Sequence, residues 1–135
     1  MNKDEFNFKI VASDGKVFEA PITLLNVNSK DGSFGIMKNH IPLVAFLGIS
    51  TFNIISNNEQ KYFACSEGVL RVENGGATIV AGTFETREEL DKDRLLQKKE
   101  EAERKISLAG DKELDLISAE TSLKKALNRL SLLNK

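Results

Sequence analysis

Apolar and polar residues alternate from the start of the chain: Phe6, Phe8, Ile10 and Ala12 share one parity, and Asn7, Lys9 and Val11 hold the other. A period of two is that of a β-strand with one face in a core. Asp14-Gly15 then supplies a hairpin turn, Lys16 to Ala20 returns, and Pro21 marks an edge or a strand start before a further strand over Ile22 to Val27. Turn signals recur at Asp31-Gly32, Gly48, Asn57-Asn58, Glu67-Gly68 and Asn74-Gly75-Gly76. Between them lie Ile49 to Ile55, Lys61 to Ser66, Val69 to Glu73 and Ala77 to Phe84, all short and rich in β-branched or aromatic residues. Such spacing predicts an all-β N-terminal domain, an antiparallel sandwich or barrel over residues 1–85.

The period changes at Thr86. Thr86-Arg87-Glu88-Glu89 reads as a capping box, with Thr86 accepting from the Glu89 amide, and predicts a helix from there to about Leu108. Ala109-Gly110-Asp111 offers a C-cap and then a fresh N-cap. The second helix carries Leu116, Ala119, Leu123, Ala126, Leu130 and Leu133 at alternating spacings of three and four, one apolar stripe. The first has only Leu90, Leu95, Leu96, Ala102 and Ile106 to set against it. Residues 86–135 are therefore expected as a two-helix antiparallel hairpin with a thin shared core. A buried Leu contributes roughly 1.5–3 kcal/mol while ordering costs about 1–2 kcal/mol per residue, so this hairpin is marginal alone and needs a partner surface.

Composition sharpens the boundary, since residues 87–135 hold 23 of the 39 charged residues and no aromatic or proline. A chain of 135 residues accommodates one domain and a small appendage. The net charge of −1 provides no basic field for nucleic acid or anionic lipid. No apolar run approaches the roughly 20 residues of a membrane span, and Met1 to Glu5 lack a signal core, so a cytoplasmic location is expected. The single cysteine, Cys65, shares its parity with Phe63 and reads as a small buried hydrophobe.

Candidate chemistry is sparse. His40 is the only histidine, with no nucleophile motif around it, and a loop histidine of this kind serves more often as a hydrogen-bonding or interface residue than as a base. Gly32 and Gly35 lack the lysine and helix start of a phosphate loop and read as turn residues. Asp91, Asp93 and Arg94 suit a solvated first helical turn, and Lys124, Lys125, Arg129 and Lys135 suit a helix C-terminus.

The run Gly32-Ser33-Phe34-Gly35-Ile36-Met37-Lys38-Asn39-His40-Ile41-Pro42, then Ser66-Glu67-Gly68-Val69-Leu70-Arg71-Val72, and finally Ala126-Leu127-Asn128-Arg129-Leu130 resemble, in order and spacing, the epsilon subunit of bacterial F-type ATP synthases. That resemblance implies a non-catalytic central-stalk subunit at the cytoplasmic face of the cell membrane, joining the gamma subunit to the membrane ring and restraining ATP hydrolysis through its helices. It implies a ring and gamma interface at Asp31, Ser33, His40 and Pro42. It further implies inhibitory contacts from Lys124, Lys125 and Arg129 to the alpha and beta catalytic subunits. No cofactor is required, but some members bind ATP between the helices through an aliphatic residue, an acid, an arginine and an alanine. Leu90, Asp91 and Arg94 match, joined by Lys125 and Arg129, whereas Leu95 replaces the alanine and Glu101 stands where an arginine is expected, so ATP is expected as a weak regulatory ligand. Composition alone serves a rival reading equally well, a β-sandwich ligand-binding or chaperone-like module with a coiled-coil appendage. A small hydrolase would need an acid-base constellation that the sequence does not show.

Overall fold

Strands form where the period-two runs lie, and the tight turns between them fall on residues that tolerate positive φ. Asn57-Asn58 (φ 53° and 66°) and Asn74-Gly75 (φ 50° and 77°) are two-residue hairpin turns of that kind. A computed structural model of the chain describes residues 3–29, 32–110 and 112–134. By internal contacts it divides into two units, Met1–Thr86 and Arg87–Lys135.

The first unit is a sandwich of two five-stranded sheets. One sheet has the order β2 (Val17–Ile22), β1 (Phe6–Ala12), β9 (Gly76–Ala81), β8 (Gly68–Glu73) and β5 (Leu43–Leu47). The other has β10 (Phe84–Thr86), β7 (Glu59–Cys65), β6 (Ser50–Ser56), β3 (Leu24–Ser29) and β4 (Gly32–Ile36). Pairing is antiparallel except between β1 and β9, which run parallel with Ile10 opposite Ile79. Pro21 lies inside edge strand β2, where its missing N–H faces no neighbour. The core is built from the inward parity of both sheets and centres on phenylalanines: Phe52 and Phe63 stack with centroids 4.7 Å apart, and Phe8 meets Phe52 edge-on at 5.8 Å.

Two expectations need correction here. The run Ala77 to Phe84 is not one strand: β9 stops at Ala81, and β10 resumes at Phe84 in the opposite sheet. The switch is made at Gly82, where any Cβ would come within 2.6 Å of the Ser66 hydroxyl oxygen, while that oxygen accepts from the Thr83 amide at 2.7 Å. The helix expected from Thr86 starts later: Thr86 ends β10, and a 3₁₀ turn over Arg87–Glu89 follows it before the α-helix begins at Lys92.

In the second unit α1 spans Lys92–Ala109, with Asp91 as its N-cap, accepting from the Arg94 amide at 3.2 Å. It ends at Gly110 (φ 55°), the conformation a C-cap glycine permits. The helix α2 spans Glu113–Leu133; Asp111, expected as its cap, lies outside the described residues. The helices run antiparallel along a seam of small residues. Leu95, Ala102 and Ala109 are buried at intervals of seven on α1, facing Ala119 and Ala126 on α2. Leu116, Leu123, Leu130 and Leu133 of the expected stripe are only half-buried, and Leu132 is the leucine of α2 that is enclosed. Alanine allows close approach of the two backbones, which leaves the larger side chains at the margins.

Candidate functional site

Strand β5 is apolar at both parities, and that pattern covers two faces rather than one. Its inward residues, Leu43, Ala45 and Leu47, join the core. Its outward residues, Val44 and Phe46, are 61% and 83% exposed. Register extends this face across the sheet. Phe46 stands opposite Val69, Val69 opposite Val80, Val80 opposite Val11, and Val11 opposite Val17. The result is an unbroken apolar row over all five strands, with Val80 and Val17 more than half exposed. The next row along the same face is polar: Arg71, Thr78, Lys9 and Glu19 lie beside Val44. Arg71 pairs with Glu73 at 2.7 Å, and Asn7 donates to Glu19 at 3.0 Å. A continuous exposed apolar strip with a charged border is the surface expected of a protein-docking face. Single-strand alternation concealed it. The signal available in the sequence was the five-residue apolar run Leu43-Val44-Ala45-Phe46-Leu47.

The expected ring and gamma residues divide between a strand and a loop. Ser33 is exposed on edge strand β4, its hydroxyl donating to the Asn28 side chain at 3.0 Å. Asp31 lies outside the described residues. His40 and Pro42 belong to the connection between β4 and β5, which carries the chain from one sheet to the other. This loop is internally braced. Asn39 takes φ 66°, the His40 amide donates to the Met37 carbonyl at 3.2 Å, and the Lys38 ammonium donates to the Lys3 carbonyl. Met37 and Ile41 are 64% and 75% exposed, so the loop presents apolar side chains as well as polar ones.

The residues expected at an ATP site are only partly assembled. A cavity of about 310 Å³ lies along the helical seam, lined by Lys98, Glu101 and Lys105 of α1 and by Ser122, Lys125 and Arg129 of α2. Lys125 and Arg129 are thus brought together. Leu90, Asp91 and Arg94 do not line the cavity. Leu90 is half-buried in the turn before α1, and the Asp91 carboxylate is committed to the helix cap. Leu95, at the position where an alanine was expected, is buried in the seam. Glu101 lies in the cavity wall and pairs with Lys105 at 3.1 Å. Lys98 and Lys105 are cations that sequence inspection passed over, because their meeting with α2 depends on how the two helices pair. Lys124 is exposed and points away from this cavity.

Cys65 is buried beside the Ser50 hydroxyl, 3.5 Å away, and burial pushes its thiol above the ordinary value near 9. The Ser50 hydrogen bond acts in the opposite direction, and the charges of Glu85 and Glu67 add to the rise. This is a structural thiol.

Two family patterns match the chain, one per unit. The ATP synthase delta/epsilon chain beta-sandwich domain matches residues 5–87, and the long alpha-helix domain of the same family matches residues 88–134. Among curated relatives, the ATP synthase epsilon chain of Bacillus licheniformis is 38% identical over 121 residues, covering 90% of this chain and 92% of that one. The ATP synthase epsilon chain of Pediococcus pentosaceus is 36% identical over 126 residues and covers 90% of each. In fold, the chain is similar to one in the Euglena gracilis mitochondrial ATP synthase OSCP/F1/c-ring structure. There the TM-score is 0.82 at 20% identity, covering 96% of this chain and 81% of that one. A chain of the Tetrahymena thermophila mitochondrial ATP synthase central stalk and c-ring is similar over 66% of this chain and 72% of its own, with a TM-score of 0.54 at 13% identity.

Proposed function

The chain belongs to the ATP synthase delta/epsilon family, and we propose that it acts as the epsilon-type central-stalk subunit of a bacterial F-type ATP synthase, joining the gamma shaft to the ring of membrane subunits. Subunits of this kind are structural and regulatory and carry out no catalysis of their own. No helix among the described residues is long and apolar enough to cross a membrane. Attachment at the cytoplasmic face of the cell membrane comes through the complex.

The observation that carries this reading is the exposed apolar row from Phe46 to Val17. A coupling element in a rotor needs two contacts of different character. One must hold firmly to the shaft, and the apolar row suits it; the other meets the polar loops of the ring, and the braced connection with His40 and Pro42 suits that. Because Phe46 and Val80 are exposed, Phe46→Asp with Val80→Asp should leave the fold within about 0.5 kcal/mol of wild type. The same pair should abolish co-purification with gamma. Undiminished recovery of gamma would show that the shaft docks elsewhere.

The helical unit supplies regulation. Its seam is alanine-rich and Leu116, Leu123, Leu130 and Leu133 of its stripe are only half-buried, so it exchanges its own hairpin for another surface at modest cost. Lys124, Lys125 and Arg129 then meet acidic segments of the alpha and beta subunits. ATP is a weak ligand of the folded hairpin, held by Lys98, Lys125 and Arg129. Two features keep it weak: a volume at the small end of the roughly 300–1,000 Å³ typical of ligand pockets, and the Glu101 carboxylate in the wall.

A further inference from the structure

Four cations meet in the seam cavity of the helical unit. Lys98 and Lys105 come from α1, and Lys125 and Arg129 from α2. The spacing of Lys98, Glu101 and Lys105 along one helix, three then four, repeats in Ser122, Lys125 and Arg129 along the other. Such spacing keeps each trio on a single helix face. Closing the hairpin therefore sets two cations against two, and like charges oppose the closure. Among the described residues, Glu101 is the one acid that lines the cavity. It lies one turn from Lys98 and one turn from Lys105, and its carboxylate accepts from the Lys105 ammonium at 3.1 Å. With side chains 54% and 62% exposed, that pair taken alone adds little to the stability of α1. The field of Glu101 also acts across the seam, on Lys125 and Arg129, which are half-buried and so less screened.

We propose that Glu101 is a built-in counter-ion of the hairpin, standing electrostatically where a bound polyphosphate would stand, so that the helices close without one. The proposal rests on the reading of this seam as the ATP site, and it adds how that site is regulated. An entering phosphate must compete with a carboxylate that is already there. The closed hairpin of this chain is thereby uncoupled from the concentration of ATP.

Glu101→Gln keeps the length of the side chain and its helix propensity and removes only the charge. In the full-length chain at low salt, amide exchange through α1 and α2 should quicken about threefold or more in this variant, and millimolar ATP or inorganic triphosphate should restore the wild-type rate. The wild-type chain should change by less than about twofold on the same addition, and ATP should bind Glu101→Gln about fivefold more tightly than wild type. A second substitution separates the cavity charge from simple loss of the pair with Lys105. Lys125→Gln, added to Glu101→Gln, should return exchange to near the wild-type rate with no anion present, a compensation that loss of the surface pair alone would not show. Unchanged exchange in Glu101→Gln overturns the proposal, as does failure of Lys125→Gln to compensate, or ATP that binds both proteins with equal affinity. If Glu101→Gln loosens the helices, Lys125→Gln repairs them and neither anion binds, the counter-ion stands and the ATP site fails.

Discussion

Asp91 shows how one residue is claimed by two demands. As a member of an ATP-binding motif it would need a free carboxylate, but that carboxylate caps α1 through the Arg94 amide. Asp91→Ala should therefore destabilise the helical unit by about 0.5–2 kcal/mol, read as faster amide exchange in the first turns of α1. Cys65 makes a prediction of the opposite kind, about the sandwich. Its thiol is held above the ordinary range by burial, so the folded state keeps its proton to higher pH than the unfolded state does. The stabilisation is complete below the unfolded value near 9 and is lost as pH rises from there through the folded value. Urea midpoints measured from pH 8 upward should fall more steeply for wild type than for Cys65→Ala, and parallel curves would contradict it.

At the level of elements, the hairpin is held by small residues meeting closely. Leu123 lies in the middle of the α2 stripe but is only half-buried, so Leu123→Ala should cost about 1–2 kcal/mol, below the roughly 2–5 kcal/mol of an enclosed leucine. Ala126 is enclosed in the seam, and Ala126→Leu should separate the helices by overpacking, at a cost of about 1–3 kcal/mol. Thermal unfolding of the two variants ranks them, and a larger loss for Leu123→Ala would refute the alanine seam. The sandwich obeys a different rule. Its strands are short, and β10 reaches the second sheet only because Gly82 passes close to Ser66.

For the whole molecule, regulation depends on which cations the folded hairpin gathers. Arg129 lines the seam cavity and Arg94 does not. Arg129→Ala should therefore weaken ATP binding about tenfold or more, as loss of a charge-assisted bond of ~1.5–3 kcal/mol requires, while Arg94→Ala has little effect. Calorimetry at millimolar ATP decides between them, and a greater loss from Arg94→Ala would relocate the site to the start of α1.

Much of this architecture was legible in local pattern. Strand periodicity, asparagine and glycine turns, the Gly110 cap and the change of composition near Thr86 each depend on residues within a few positions of one another. For that reason the sandwich, the hairpin and the family resemblance were all readable from residue order. The apolar row from Phe46 to Val17 was not, because its five members come from five strands and become neighbours only through pairing, including the parallel match of Val11 with Val80. The Gly82 switch, the exclusion of Arg94 and the entry of Lys98 into the cavity are likewise consequences of packing. Sequence spacing dictates which way a side chain faces along its own element, and the tertiary structure alone decides what it faces.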